Sequence, residues 1–220
     1  ASDVVQKLLA LDGPLANEPE LIEALSGSFF RGLAVADPEK ALLLIENWFN
    51  SKTDKELEAL RFDRMSLVRA LEGIAAWKDL FVGSAELLLR LAATETNHTY
   101  SNNSEGTFVG LFSSAYGKLA PSEAHPSDRL PVLERALKSD EPRRQLMAIR
   151  AVDCGLEATH YTKIIGDEMR GLKDDPDFWM PVTYGEHWDV IRDMWNLLLK
   201  YLPSLDTENK VEAAKILNSN

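Results

Sequence analysis

The apolar pattern of the chain is strongest between Phe62 and Thr94. Leu67, Val68, Leu71, Ile74 and Ala75 recur at the i, i+3, i+4, i+7 spacing of one helix face. Ala85, Leu88, Leu91 and Ala92 repeat that spacing, with Leu87 and Leu89 widening the stripe. Trp77-Lys78-Asp79 lies between them, too short for anything but a tight antiparallel turn. The stretch predicts a helical hairpin with a wide apolar face.

Weaker versions of the same pattern flank it. Val4, Val5, Leu8 and Leu9 predict a short helix, capped by Ser2 or Asp3 and stopped at Asp12-Gly13-Pro14. Asn17, as a cap, and Pro19 open a second helix with Leu21, Ile22, Leu25, Phe29 and Leu33 on one face. Asp37-Pro38 is the cleanest start signal: a capping carboxylate followed by a proline whose missing N–H costs nothing there. Ala41, Leu44, Ile45 and Trp48 form the face behind it, and Ser51 to Glu56 reads as a polar turn. Helical pattern then lapses between Asn97 and Ser127, apart from a short apolar piece at Thr107 to Phe112. Long loops of this kind are uncommon and often functional.

Beyond the loop, Ser127 is expected to cap Asp128 to Lys138, and Asp140 with Pro142 to open Arg143 to Ala158. Leu146, Ala148 or Ile149, Val152 and Leu156 are its inward face. Tyr161 to Leu172 predicts another helix, and Asp174 to Gly185 an irregular stretch. His187 to Leu202 carries Trp188, Ile191, Trp195, Leu198 and Leu202 as its stripe. Thr207 to Leu217 closes the series with Val211, Ala214 and Leu217 inward. No segment alternates with period two, so the chain is expected to be all-α. It divides into N-terminal hairpins (1–96), a long loop with a short helix (97–127) and C-terminal hairpins (128–220), within one domain over 1–220.

Acid-plus-proline starts recur at Glu18-Pro19, Asp37-Pro38, Asp140-Glu141-Pro142 and Asp175-Pro176. About 40 residues separate Asp37 from Asp79, near the roughly 40–47 of HEAT and armadillo repeats; the other spacings do not match it. The segment LPVLERALKSDEPRRQLMAIRAVDCGLEA, an apolar helix, a polar Asp-Pro-type turn and basic residues opening a second helix, resembles a HEAT unit. The chain thus resembles HEAT- and armadillo-like helical solenoids over Asp37 to Thr94 and Leu130 to Ala158, and loosely elsewhere. It is also similar to the helical regions of large bacterial signalling NTPases, in LLLRLA-type helix endings. The resemblance implies stacked antiparallel hairpins as an irregular HEAT-like α-solenoid or bundle. It implies no active-site residues, since such repeats share none. There is no GxxxxGK[ST] phosphate loop, so an ATP site of such a relative would fall outside this chain.

Composition narrows the partners. The chain has 220 residues, 45% hydrophobic and 27% charged, with a net charge of −11 from 24 Lys and Arg against 35 Asp and Glu. A chain of this size buries roughly 70% of its unfolded surface and needs no disulfide or metal. Its charge repels nucleic acid and anionic membranes over most of its area. No apolar run approaches the ~20 residues of a membrane span, and no signal peptide is visible. With Cys154 as the single cysteine, a reducing, cytoplasmic compartment is expected. Asn97-His98-Thr99 and Asn102-Asn103-Ser104 match the glycosylation pattern, which arises by chance in chains of this length. The chain starts at Ala1 in helical pattern and ends just after one, which sets the expectation of a piece cut from a longer protein.

Candidate chemistry is sparse. His98, His125, His160 and His187 are not paired as in HExxH. Glu95 and His98 have the i, i+3 spacing of di-iron helices but fall at a helix end, where an exposed loop histidine is the plainer reading. Cys154 has no nucleophile signature and lies in a helix pattern. Asp174, Asp175 and Asp177 cluster at a turn without the spacing and glycine of an EF-hand. No catalytic residue, metal or cofactor is therefore expected. Two stretches keep functional weight: Asn97 to Gly106, and Asp177 to Trp188 with its aromatic and methionine residues. Phe178, Trp179, Met180, Tyr184 and His187 are the candidate partner surface, unless they only cover the end of the core. The expectation is a non-catalytic protein-interaction or structural module. Its alternatives are an α-helical hydrolase with an acidic His/Asp/Glu site and a small-ligand or peptide sensor using 177–188.

Overall fold

A computed structural model describes residues 2–10, 12–18, 27–60, 64–96, 103–157 and 175–219. Among them the chain is all-helical, with 12 helices and no strand. In order these are α1 (Ser2–Leu8), α2 (Pro14–Asn17), α3 (Gly27–Ala36), α4 (Pro38–Asn50), α5 (Asp54–Ala59) and α6 (Arg64–Ala75), followed by α7 (Phe81–Ala93). Then come α8 (Ser104–Gly110), α9 (Pro126–Leu137), α10 (Pro142–Leu156), α11 (Tyr184–Tyr201) and α12 (Thr207–Ser219). The stripe at Leu21, Ile22 and Leu25, the Phe29 side chain, the helix expected over Tyr161 to Leu172, and His98 and His160 lie outside the described residues.

Helix starts follow local chemistry. Asp37 caps α4 by accepting the Lys40 N–H at 3.2 Å, with Pro38 in the first turn as expected. Thr53 and Glu56 form a capping box, Thr53 N–H to Glu56 Oε2 at 2.7 Å and Glu56 N–H to Thr53 Oγ1 at 3.4 Å. Ser51 to Glu56 is thus not simply a turn: the T-x-x-E spacing opens α5. Asn17 is the last residue of α2; the helix start expected at Pro19 lies outside the described residues. His125, not Ser127, caps α9: its Nδ1 accepts the Ser127 N–H at 3.2 Å, and Pro126 takes the first position. Thr183 caps α11, which begins three residues before the expected His187.

The central hairpin forms where the pattern places it. Leu67, Val68, Leu71, Ile74 and Ala75 of α6 and Ala85, Leu88, Leu89, Leu91 and Ala92 of α7 are all buried. The two helices pack on each other, and a single 3₁₀ turn at Lys78–Leu80 joins them. α3 packs on α6, and α4 on both α6 and α7. α8 wedges between α6, α7 and α10; α9 and α10 pair and rest on α7; α11 and α12 rest on α10. The buried side chains form a continuous cluster from Leu9 to Ile216. Leu71→Ala and Leu88→Ala, each fully enclosed, should each cost about 2–5 kcal/mol in chemical denaturation. A loss below about 1 kcal/mol at both would be surface behaviour and would contradict this packing.

Two faces are turned from their expected positions. In α11 the buried residues are Val190, Met194, Leu197, Leu198 and Tyr201, whereas Trp188 is exposed and Ile191 and Trp195 sit at the edge of the core. Gly155 of α10 belongs to that setting: a Cβ there would clash with the Phe112 carbonyl at 2.9 Å and crowd Met194 Cε at 3.2 Å. In α12 the inward residues are Asn209, Ala213 and Ile216, while Val211 and Ala214 face solvent and Leu217, expected inward, packs at the edge of the core. The Asn209 amide donates to the Pro142 carbonyl at 2.9 Å and to Gln145 Oε1 at 3.2 Å, which fixes the rotation by polar contact rather than by the apolar stripe.

Candidate functional site

Residues 111–125 link α8 to α9 with one 3₁₀ turn, Gly117–Leu119, and much of the link is buried. A buried link carries carbonyls that no helix satisfies. Arg129, 0% exposed, supplies donors to three of them. Its guanidinium donates to the Ala124 carbonyl at 2.7 and 2.9 Å and to the Leu111 and Ser113 carbonyls at 3.2 and 3.3 Å. It also lies 5.7 Å from the Phe81 ring centre, so the link is tied to α7 as well as to α9. The Ser122 hydroxyl donates to the Ala75 carbonyl at 2.7 Å, and the Glu123 N–H to the Ala76 carbonyl at 2.9 Å. Both close the C-terminal end of α6.

The aromatic stretch lies on this platform. Asp175-Pro176 starts no helix; residues 175–181 carry no regular structure. Their backbone is pinned instead, Gly117 N–H to the Trp179 carbonyl at 2.8 Å and Trp179 N–H to the Ser122 carbonyl at 3.3 Å. The Glu123 carboxylate joins two segments, accepting the Lys78 N–H at 3.1 Å and the Asp177 N–H at 2.9 Å. Trp179 is thereby only 7% exposed, its ring centre 5.6 Å from His125 and 6.5 Å from His187. Met180 folds over Gly117, whose φ of 61° lies in the left-handed region that favours glycine.

The expected partner surface therefore divides. Met180 and Tyr184 are exposed, Phe178 and His187 are half-buried, and Trp179 is a packing residue rather than a surface one. Trp179 sits beneath because its own N–H and carbonyl are bound to the link. The exposed group also includes members that the sequence did not single out. Tyr116 and Leu119 of the link join Met180, Val182 at 89% exposure, Tyr184 at 85% and Trp188. Tyr184 and Trp188 are four apart on α11 and share a face, and the Tyr116 ring meets His187 edge-on at 5.4 Å. Tyr116 and Leu119 lay in the long loop, where nothing in the sequence tied them to 177–188.

The other stretch with functional weight, Asn97 to Gly106, is described only from Asn103. Asn103 caps α8 by accepting the Gly106 N–H at 2.9 Å. Ser104 donates its N–H and its hydroxyl to Glu95 Oε2 at 3.3 and 2.7 Å. Glu95 is buried and pairs with Arg64 Nε at 3.2 Å; Arg64 also donates to the carbonyls of Leu57, at 2.7 Å, and Leu91. Burial pulls the Arg64 pKa down from its ordinary value, and Glu95 works against that pull. Glu105, also buried, pairs with Arg143 and Arg150 of α10. A cavity of about 580 Å³ opens beside Arg64, Glu95 and Asn103, with Lys55 and Glu58 also lining it. Its charged floor is thus already bonded within the chain and serves to close helix ends.

Cys154 is half-buried on α10, and burial, with Glu157 and Asp153 adding to it, pushes its thiol up to about 12. A thiol of that kind is a poor nucleophile. Iodoacetamide near neutral pH should leave Cys154 unmodified in the native chain and label it after denaturation; equal labelling in both states would contradict its enclosure. Among the described residues no group of three or more His, Cys, Asp and Glu side chains is placed to hold a metal ion, and no helix is long and apolar enough to cross a membrane. No known protein family, curated protein or solved structure matches the chain.

Proposed function

We propose that the chain is a non-catalytic protein-interaction module whose helical pairs stack as an irregular HEAT-like α-solenoid. The stacking of α3 and α4 on α6 and α7, of these on α9 and α10, and of α10 under α11 and α12 is in keeping with a sequential array. The observation that carries the functional reading is the exposure of Tyr116, Leu119, Met180, Val182, Tyr184 and Trp188 on segments that meet, Gly117 bonded to the Trp179 carbonyl with Met180 over it and Tyr116 against His187. Contiguous exposed apolar side chains with a polar rim mark interaction surfaces, and exposed Tyr and Trp are the residues that dominate such interfaces.

The test is a comparison of baits. Wild-type chain, Trp188→Ala and a control, Val211→Ala on the outer side of α12, are immobilised and exposed to the same extract. A protein retained by wild type and by Val211→Ala but lost by Trp188→Ala is the expected result. Identical retained sets on all three would refute an interaction role for this surface.

A further inference from the structure

The charge around the aromatic surface says what kind of partner it fits. Resting on the interaction reading above, we propose that its occupant is a basic peptide segment, with Lys or Arg on either side of one apolar anchor residue. Carboxylates outnumber cations in the segments that carry the exposed apolar side chains: Asp175 and Asp177 stand before Trp179, Glu123 is bonded to the Asp177 N–H, Glu186 to the Val182 N–H, and Asp189 follows Trp188, against Lys78, Lys118 and Arg192, which pairs with Asp189 one turn along α11. The whole chain carries −11, so the local excess of carboxylate is not offset at longer range. The Glu186 carboxylate accepts the Val182 N–H at 2.6 Å and lies 3.5 Å from His125 Nε2; Glu123 holds the Lys78 and Asp177 amides. These bonds fix the positions of the two carboxylates while leaving their negative charge in place.

The exposed rings point the same way. Tyr184 and Trp188 are exposed on one side of α11, with Tyr116 beside His187. A ring face beside carboxylates attracts an ammonium or guanidinium group through both its quadrupole and the nearby negative charge. The apolar surface of Met180, Val182 and Leu119 takes the anchor; methionine adapts to differently shaped side chains. Other occupants fit less well. A second copy of the chain would bring two acidic rims together, and an anionic lipid surface would meet the same repulsion.

A random linear-peptide library selected on the wild-type chain, with depletion on Tyr184→Ala/Trp188→Ala, tests this directly. The double variant keeps every rim carboxylate, so peptides that bind by charge alone are removed. The enriched pool is expected to be rich in Lys and Arg with one Leu, Ile, Met or aromatic anchor. Its members should bind wild type at least about ten-fold tighter than the double variant, bind more weakly to Asp175→Asn/Asp177→Asn, and lose affinity as salt rises. An enriched pool of neutral or acidic peptides that still needs Tyr184 and Trp188 would overturn the basic class while leaving the interaction surface standing. A pool that binds wild type and both variants alike would overturn the surface as well. Concentration-dependent dimers in sedimentation, abolished in the double variant, would assign the surface to a second copy and overturn the proposal.

Discussion

Arg129→Ala should destabilise the chain by about 3–5 kcal/mol, at the upper end of single-residue effects. Removing the guanidinium strips donors from the carbonyls of Leu111, Ser113 and Ala124 together, in a segment that water reaches poorly. It also leaves a void beside Phe81. The loss is partly offset, because the unfolded chain no longer has to desolvate a charge. At roughly 2–4 °C per kcal/mol for a chain of this length, Tm should fall by about 10 °C. Arg129→Lys should be only a partial rescue, since one ammonium cannot span the same carbonyls as a planar fork. Hydrogen exchange in 111–125 should accelerate before the rest of the chain. A stability loss below about 1 kcal/mol would mean that the link does not depend on Arg129.

Trp179→Ala should be comparably costly, about 3–5 kcal/mol, because a large buried ring is removed. The indole N–H makes no hydrogen bond, so no polar partner is orphaned and the loss is one of packing against His125 and His187. Trp179→Phe should recover most of the stability. Trp188→Ala, at an exposed position, should change stability by no more than about 0.5 kcal/mol. A Tm unchanged in Trp179→Ala would return that side chain to the surface, where its irregular sequence surroundings alone would place it.

That contrast shows what the sequence makes legible. The α6–α7 hairpin could be read because its apolar spacing and its short turn agree. The Asp37-Pro38 start could be read because capping is local chemistry. The Thr53 to Glu56 capping box was equally local, yet a polar composition hid it. α11 and α12 were misread in rotation for a different reason. Gly155 packs closely against Met194 and Asn209 reaches the start of α10, and neither contact leaves a periodic trace. The buried charges Arg64, Glu95, Glu105 and Arg129 are indistinguishable from surface charges until their partners are in place. The aromatic surface was half-legible. Met180 and Tyr184 stood out by composition, but Tyr116 and Leu119 come from a link more than fifty residues earlier, about ten times a common connection length. Trp179 looked exposed because it lies in an irregular stretch outside the stripe of α11, whereas its backbone is bound to the 111–125 link.

The most direct measurement is the affinity of the partner retained in the bait comparison, by titration calorimetry, for wild type and Tyr184→Ala/Trp188→Ala at matched Tm. An aromatic pair at the centre of an interface should weaken binding by at least about 2 kcal/mol, or roughly thirty-fold, when truncated. Equal affinity for the two, with the fold intact in both, would contradict the assignment of function to this surface.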